Sequence, residues 1–445
     1  MARREIDMLN GSMWRSIFLF SIPLMFSNVL QVLFNMSDVM VVGRFAGPIA
    51  LGCVGSTTTI VQLFMGVMFG LATGINAIVA FHIGAREGDM VRRAVHSAII
   101  ISLIFGVSIS VIGLSLSRSF LSALNTKDEL IHGATLYLSV YLLGAPALSL
   151  YNYGNAILSA VGDTKRPLVY LSISGVVNIL LNLLFVIVFE LSVLGVALAS
   201  VISQYLSAFM VIRHLTRVDS DYKLQFKSIK YDKVLAHEIL RIAIPTSCQY
   251  VLFSLSNLFV QYSINYFDHR VVEGSAAAGN ADNLVYDVMA AFYTACTSFI
   301  AQNLGARKIK RIKKAYLITL SYSFIVGFVF GGLLLIFRVP FLSLFTTDSD
   351  VIYFGEMKLF VMASSYAISA FMDNAAAASR GLGKSVGPTV IIVLGTIVFR
   401  ILWIYTIFAH VHTIYSLYLL YPASWIFTAV AANIYFFLNY KKLVL

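Results

Sequence analysis

Charge is what this sequence has least of. Of its 445 residues 32 are basic and 21 acidic, 12% together, against the roughly 25% of a soluble domain. There are eight prolines and three cysteines. The cysteines, Cys53, Cys248 and Cys296, are odd in number and widely spaced in apolar stretches. They frame neither a disulfide scaffold nor a zinc site and read as small hydrophobes. No Ser/His/Asp, Cys/His or zinc-protease arrangement is legible, so nothing points to an enzyme. Disorder and collagen are excluded by composition. What is abundant is apolar surface: 59% of residues are hydrophobic and mean hydropathy is +0.84. A soluble globule cannot bury that much, so the solvent for most of this chain is lipid.

Stretches of about 20 apolar residues mark membrane-crossing helices. Twelve are expected, at 17–42, 49–81, 95–117, 133–159, 168–190, 193–213, 240–267, 275–302, 316–337, 353–379, 389–409 and 415–438. Strand periodicity is absent, which excludes a β-barrel. The first stretch follows Arg3, Arg4 and Arg15 and is too long for a cleaved signal peptide. With the N-terminus placed inside, 25 basic residues fall in inside segments and six outside, the latter counted as Arg44, Arg118, Lys127, Arg270, Arg338 and Lys358. Arg400 is left as the within-span base. This bias puts both termini in the cytoplasm, with the chain multi-pass in the plasma membrane. It also accounts for the net charge of +11 as a topology signal with attraction to anionic lipid, leaving no role for nucleic acid.

A single constant offset superposes the halves. Ala80, Gly84, Ala85 and Arg86 fall on Ala301, Gly305, Ala306 and Arg307. Phe120, Leu121 and Ser122 fall on Phe341, Leu342 and Ser343, and Ala156, Gly162 and Pro167 on Ala377, Gly383 and Pro388. Pro23 and Pro245 open the halves at nearly the same offset. The expected architecture is an all-α integral membrane protein of two six-helix lobes, 1–213 and 240–445, joined by a cytoplasmic linker at 214–239. Six is even, so both lobes insert the same way, related by a pseudo-two-fold axis along the membrane normal.

Four carboxylates lie inside expected spans: Asp38, Asp282, Asp287 and Asp373. An ionised side chain there costs at least a few kcal/mol, so each is a functional candidate. Asp38 shares a helix face with Gln31, two turns earlier. Asn178 and Asn182 are one turn apart and can enter one pocket. Gly383-Lys384-Ser385 lacks the earlier glycine and the strand of a phosphate-binding loop. His410 and His412, two apart, face different ways on a helix and hold no metal.

The stretch Ala301-Gln302-Asn303-Leu304-Gly305-Ala306 before a basic run, Arg380-Gly381-Leu382-Gly383-Lys384-Ser385 with Pro388, and Gly162-Asp163-Thr164-Lys165-Arg166-Pro167 together resemble the multidrug and toxic compound extrusion (MATE) family. The resemblance covers nearly the whole chain. It implies a secondary active, cation-coupled antiporter exporting organic, often cationic, drugs by alternating access, needing no cofactor beyond a coupling proton or Na+ and working as a monomer. It implies a coupling site at Asp38 in the first helix, facing Asn155, Asn178, Asn182 and Ser200 from the fourth to sixth helices, with Na+ a candidate at Asp38, Asn178 and Asn182. Gln31, Asn155, Asp282 and Asp373 become substrate-binding candidates. Relatives often carry Asp where this chain has Asn182, and the acid some carry in the seventh helix is missing here. One rival is a lipid-linked glycan flippase of the same superfamily. It should need several bases in its cavity, and Arg400 alone lies within a span. The other rival, a membrane-embedded enzyme or receptor, is disfavoured by the repeat and the missing catalytic constellation.

Overall fold

The computed structural model describes residues 5–444; Arg3 and Arg4 of the expected inside set lie outside them. Among the described residues the chain is helical, without strands. In order come α1 (Met13–Val41), α2 (Gly47–Ala85), α3 (Gly88–Ala123), α4 (Asp128–Leu142), α5 (Ala145–Val161), α6 (Lys165–Leu183) and α7 (Ser192–Arg217). The second half holds α8 (Lys233–Ile264), α9 (His269–Gly305), α10 (Ile309–Ile336), α11 (Arg338–Leu342), α12 (Ser349–Ala363), α13 (Tyr366–Gly381), α14 (Val386–Ile392), α15 (Phe399–Trp403), α16 (Ile414–Tyr418) and α17 (Leu420–Val444). Short π-helical segments sit at Val42–Ala46, Leu184–Val188, Val393–Val398 and Ile404–Phe408.

Nine helical stretches among the described residues are long and apolar enough to cross a membrane. The first, Met13–Ala85, runs for 73 residues, about 110 Å at 1.5 Å per residue, far more than the ~30 Å hydrocarbon core. It turns at Gly47, whose φ of +88° suits glycine alone, and so supplies two crossings. Two bent pairs, α4 with α5 (45°) and α12 with α13 (48°), complete the twelve expected spans. Large apolar side chains stay exposed along these helices, among them Phe26, Met40, Ile49, Val188 and Phe328, a surface suited to acyl chains and not to water.

The described residues pack as two compact units. One holds Phe26–Ser247 and the chain up to Ile6; the other holds Asp7–Met25 and Cys248–Leu445. Within each, the repeat is written in backbone and hydrogen bonds. Arg86 (φ +60°) and Arg307 (φ +55°) take the same left-handed conformation just past α2 and α9, and Gly162 (φ +94°) and Gly383 (φ +72°) do so after α5 and α13. Asn76 Nδ2 donates to the Ala156 carbonyl at 3.1 Å, and at the equivalent place in the second half Thr297 Oγ1 donates to that of Ala377 at 3.1 Å. Tyr153 Oη reaches the Val95 carbonyl at 3.1 Å, and Asn374 Nδ2 that of Tyr316 at 3.1 Å. The residue types differ while the contacts persist, because any polar side chain buried at a helix crossing needs a partner and the facing helix offers a carbonyl at the same place in each half. A Cβ on Gly106 would lie 2.7 Å from Pro146 Cα, and one on Gly327 3.1 Å from Ala367 N. Glycine at both places lets the bent pair approach the helix before it.

The stretch between α7 and α8 is folded onto the first unit. Tyr222 and Leu224 are buried. Gln225 N donates to His96 Nε2 at 3.2 Å, Asp232 N to Ser97 Oγ at 2.9 Å, and Arg93 pairs with the Asp232 carboxylate. Cys53, Cys248 and Cys296 are free thiols, Cys248 exposed and the other two buried.

Candidate functional site

Asp38 lies in the last turn but one of α1 and is 9% exposed. Asn182 on α6 donates Nδ2 to Asp38 Oδ1 at 2.5 Å, and Ser200 on α7 donates its hydroxyl to Oδ2 at 3.1 Å. Asn178, one turn before Asn182, accepts from Asn182 Nδ2 at 3.3 Å and donates to Ser200 Oγ at 3.5 Å. The structure therefore brings Asp38, Asn178, Asn182 and Ser200 into one buried cluster. The stacked rings of Tyr137 and Tyr141, with centroids 5.9 Å apart, lie within electrostatic reach of the carboxylate.

No basic side chain among the described residues pairs with Asp38; its partners are neutral dipoles. A buried carboxylate so placed takes a proton or holds a cation, because the bare charge is costly. Asn182 Oδ1 is buried without a hydrogen-bond partner. With Asn178 Oδ1, Ser200 Oγ and the carboxylate it makes an all-oxygen set, the donor type hard cations take. Gln31 and Asn155, expected beside Asp38, have no hydrogen bond to this cluster among the described residues. Asn155 Oδ1 is buried and unpaired.

In the second unit Asp282 on α9 accepts from Tyr366 Oη and pairs with Lys358 Nζ at 3.1 Å. Lys358 on α12 also donates to the Ser275 carbonyl at 3.1 Å. This corrects the sequence reading, which counted Lys358 among the outside charges: the side chain is only 8% exposed and is neutralised within the helices. Its place inside the 353–379 span was the available signal. No hydrogen bond joins Asp373 on α13 to Asp282 among the described residues, and the Asp373 Oδ2 is buried and unpaired. Arg380, one residue past the expected 353–379 span and so within the inside count of 25, is also buried and donates Nη2 to Gln249 Oε1 at 2.7 Å. Three bases, Lys358, Arg380 and Arg400, are thus buried in this unit. Scarcity of buried bases is no longer an argument against a glycan flippase.

The MatE family model matches residues 23–184 and again residues 245–406. The chain belongs to the MatE family. The two matches restate the internal repeat, one in each half. The probable multidrug resistance protein YoeA of Bacillus subtilis (strain 168) is 28% identical over 389 residues, covering 85% of this chain and 84% of that protein. The probable multidrug resistance protein YpnP of the same organism is 27% identical over 369 residues, 82% of this chain and 81% of the other. A solved outward-facing conformation of a multidrug resistance MATE family transporter of the MOP superfamily superposes with a TM-score of 0.92 at 23% identity, over 100% of this chain and 99% of that one. The fold is that of a MATE transporter: an all-α, multi-pass membrane protein built from a duplicated half, in a family of multidrug efflux transporters.

Proposed function

We propose that this MatE-family protein is a secondary active antiporter, exporting organic, often cationic, drugs by alternating access in exchange for H+ or Na+, with Asp38 as the coupling group. The observation that carries the reading is a buried carboxylate held by Asn182 and Ser200 with no counter-ion among the described residues. A proton or Na+ arriving from outside neutralises Asp38, and the amides and hydroxyl hold it in place. Drug taken from the cytoplasm favours the inward release of that ion. The coupling needs only opposed preferences of ion and drug for two conformations, which is linkage. Sodium would be held by the oxygens of Asp38, Asn178, Asn182 and Ser200; a proton would need Asp38 alone. In this reading the substrate candidates Gln31, Asn155, Asp282 and Asp373 contribute to drug recognition, the protein acts as a monomer in the plasma membrane with both termini cytoplasmic, and the lobes divide at 213 and 240. Uptake of a fluorescent cationic dye into everted vesicles, whose lumen corresponds to the cell exterior, driven separately by a sodium and by a proton gradient directed out of the lumen, tests it. Dye movement that needs neither gradient would overturn the antiport reading.

A further inference from the structure

The repeat pairs the Asp38 cluster with a place of opposite charge in the second half. In the register that carries Ala80 onto Ala301, Asn178, Asn182 and Ser200 fall on Phe399, Trp403 and Tyr421. In the register of Pro23 and Pro245, Gln31 falls on Phe253 and Asn35 on Asn257, while Asp38 falls on Val260. The carboxylate and amides are gone. In their stead stands Arg400 on α15, 1% exposed.

The Arg400 guanidinium lies over the Tyr421 ring at 4.7 Å and over the Phe253 ring at 5.2 Å. Nη1 donates to Asn257 Oδ1 at 3.0 Å. Nε and Nη2 are buried with no hydrogen-bond partner, and no carboxylate among the described residues pairs with the group. These two nitrogens form one edge of the guanidinium, the edge whose parallel N–H bonds grip a carboxylate or phosphate with two contacts. Ring faces hold a cation in place but do not satisfy its donors, and leaving buried donors of a charged group unmade is costly. The π-helical turns on either side, Val393–Val398 and Ile404–Phe408, are features frequent at functional sites.

We propose that Arg400, with Phe253, Asn257 and Tyr421, forms a binding site for the carboxylate or phosphate of an aromatic amphiphile. The anion sits on the Nε–Nη2 edge and its ring packs beside Phe253 and Tyr421. The site lies outside the Asp38 cluster and is independent of the coupling ion. The edge is closed to solvent in this conformation, so the ligand enters when the helices bearing Phe253, Arg400 and Tyr421 part.

The test is equilibrium binding of 2-naphthoate, and of its uncharged methyl ester, to the purified full chain in phosphatidylcholine nanodiscs. The protein should bind naphthoate at least about tenfold more tightly than the ester. Arg400→Lys keeps the charge and loses the two-pronged edge, so it should abolish that preference. Asn257→Asp supplies an internal anion beside Arg400 and should abolish it too, while satisfying the buried charge and so preserving the fold if the lysine variant does not. Equal binding of naphthoate and ester by the unaltered protein would overturn the site, as would unchanged naphthoate preference in Asn257→Asp. Replacing a third of the lipid by phosphatidylglycerol identifies the source: competition assigns the edge to the headgroup of a net-anionic lipid, and unchanged affinity assigns it to a solute. No ion gradient enters the measurement, so its failure is separate from failure of the antiport reading.

Discussion

Asn182 and Asp38, far apart in sequence, are joined by a 2.5 Å hydrogen bond from the amide Nδ2 to carboxylate Oδ1. That bond ties α6 to the C-terminal half of α1. It leaves the amide oxygen of Asn182 buried and unpaired, an acceptor free on the residue that holds the Asp38 carboxylate.

Asp38→Asn should abolish dye efflux and leave expression and folding largely intact. The amide is nearly isosteric and can still hydrogen-bond Asn182 and Ser200, but it neither titrates nor carries charge for a cation. Efflux at the unaltered rate would remove Asp38 from the coupling step.

Asn182→Asp should keep transport and change its ion dependence. Two carboxylates at hydrogen-bonding distance repel, so protons leave the pair in two coupled steps. The added anionic oxygen should also favour Na+. Efflux measured against pH, with and without sodium, reads both effects. Coincident profiles would show that Asn182 is no part of the ion site.

The membrane-spanning pattern and the repeat were legible because both are written in composition and spacing. The bend between α4 and α5 was not: a run such as 133–159 stays apolar through Leu143 and Gly144, where the direction changes. Asp38, Asn178, Asn182 and Ser200 could be named because polar residues in apolar helices stand out. Lys358 was misplaced because its neutralising partner, Asp282, stands on another helix, α9, and pairing across helices leaves no local signature. The Thr297 and Asn76 contacts escaped for a related reason. The repeat preserves where a donor is needed, and not which residue supplies it.

Lys358 and Asp282 should be strongly coupled. Removing either partner of a buried pair strands a charge, at about 3–5 kcal/mol, whereas replacing both with neutral residues costs much less. Lys358→Met and Asp282→Asn should each lower the melting temperature in detergent by several degrees, and the double variant should lie well above the sum of the two. Additive shifts would show that the 3.1 Å contact contributes nothing of its own.

Asp232 should hold the segment between α7 and α8. Its Oδ1 accepts from Val234 N at 2.9 Å and Leu235 N at 3.2 Å, capping α8, while Oδ2 pairs with Arg93. Partial burial raises its pKa, but these backbone bonds and the Arg93 guanidinium outweigh that and hold the carboxyl below its ordinary value of 3.8. A depressed pKa contributes stability that is present above the unfolded value and lost as pH falls through the folded one. Asp232→Ala should cost about 1 kcal/mol at the cap and speed trypsin cleavage at Lys227 and Lys230 about fivefold. The ratio should hold constant from about pH 6 to 8, where the carboxylate stays ionised. Unchanged cleavage would mean that the burial of Tyr222 and Leu224 alone keeps the segment in place.

The same segment offers a test of the orientation expected from the basic-residue bias. Moving Lys358 and Arg380 into the helix interior takes one basic residue from the outside count and one from the inside count, so the bias stands at 24 to five. Positive residues are retained in the cytoplasm during insertion; 214–239 carries five Lys and Arg, and 307–314 carries six in eight residues. Single cysteines at Lys223 and Lys310, in a background with Cys53, Cys248 and Cys296 replaced by serine or alanine, should resist a membrane-impermeant maleimide in intact cells and react once the membrane is opened. A third cysteine at Lys127, on the opposite side, should react in both. Labelling of Lys223 and Lys310 variants from outside would invert the topology.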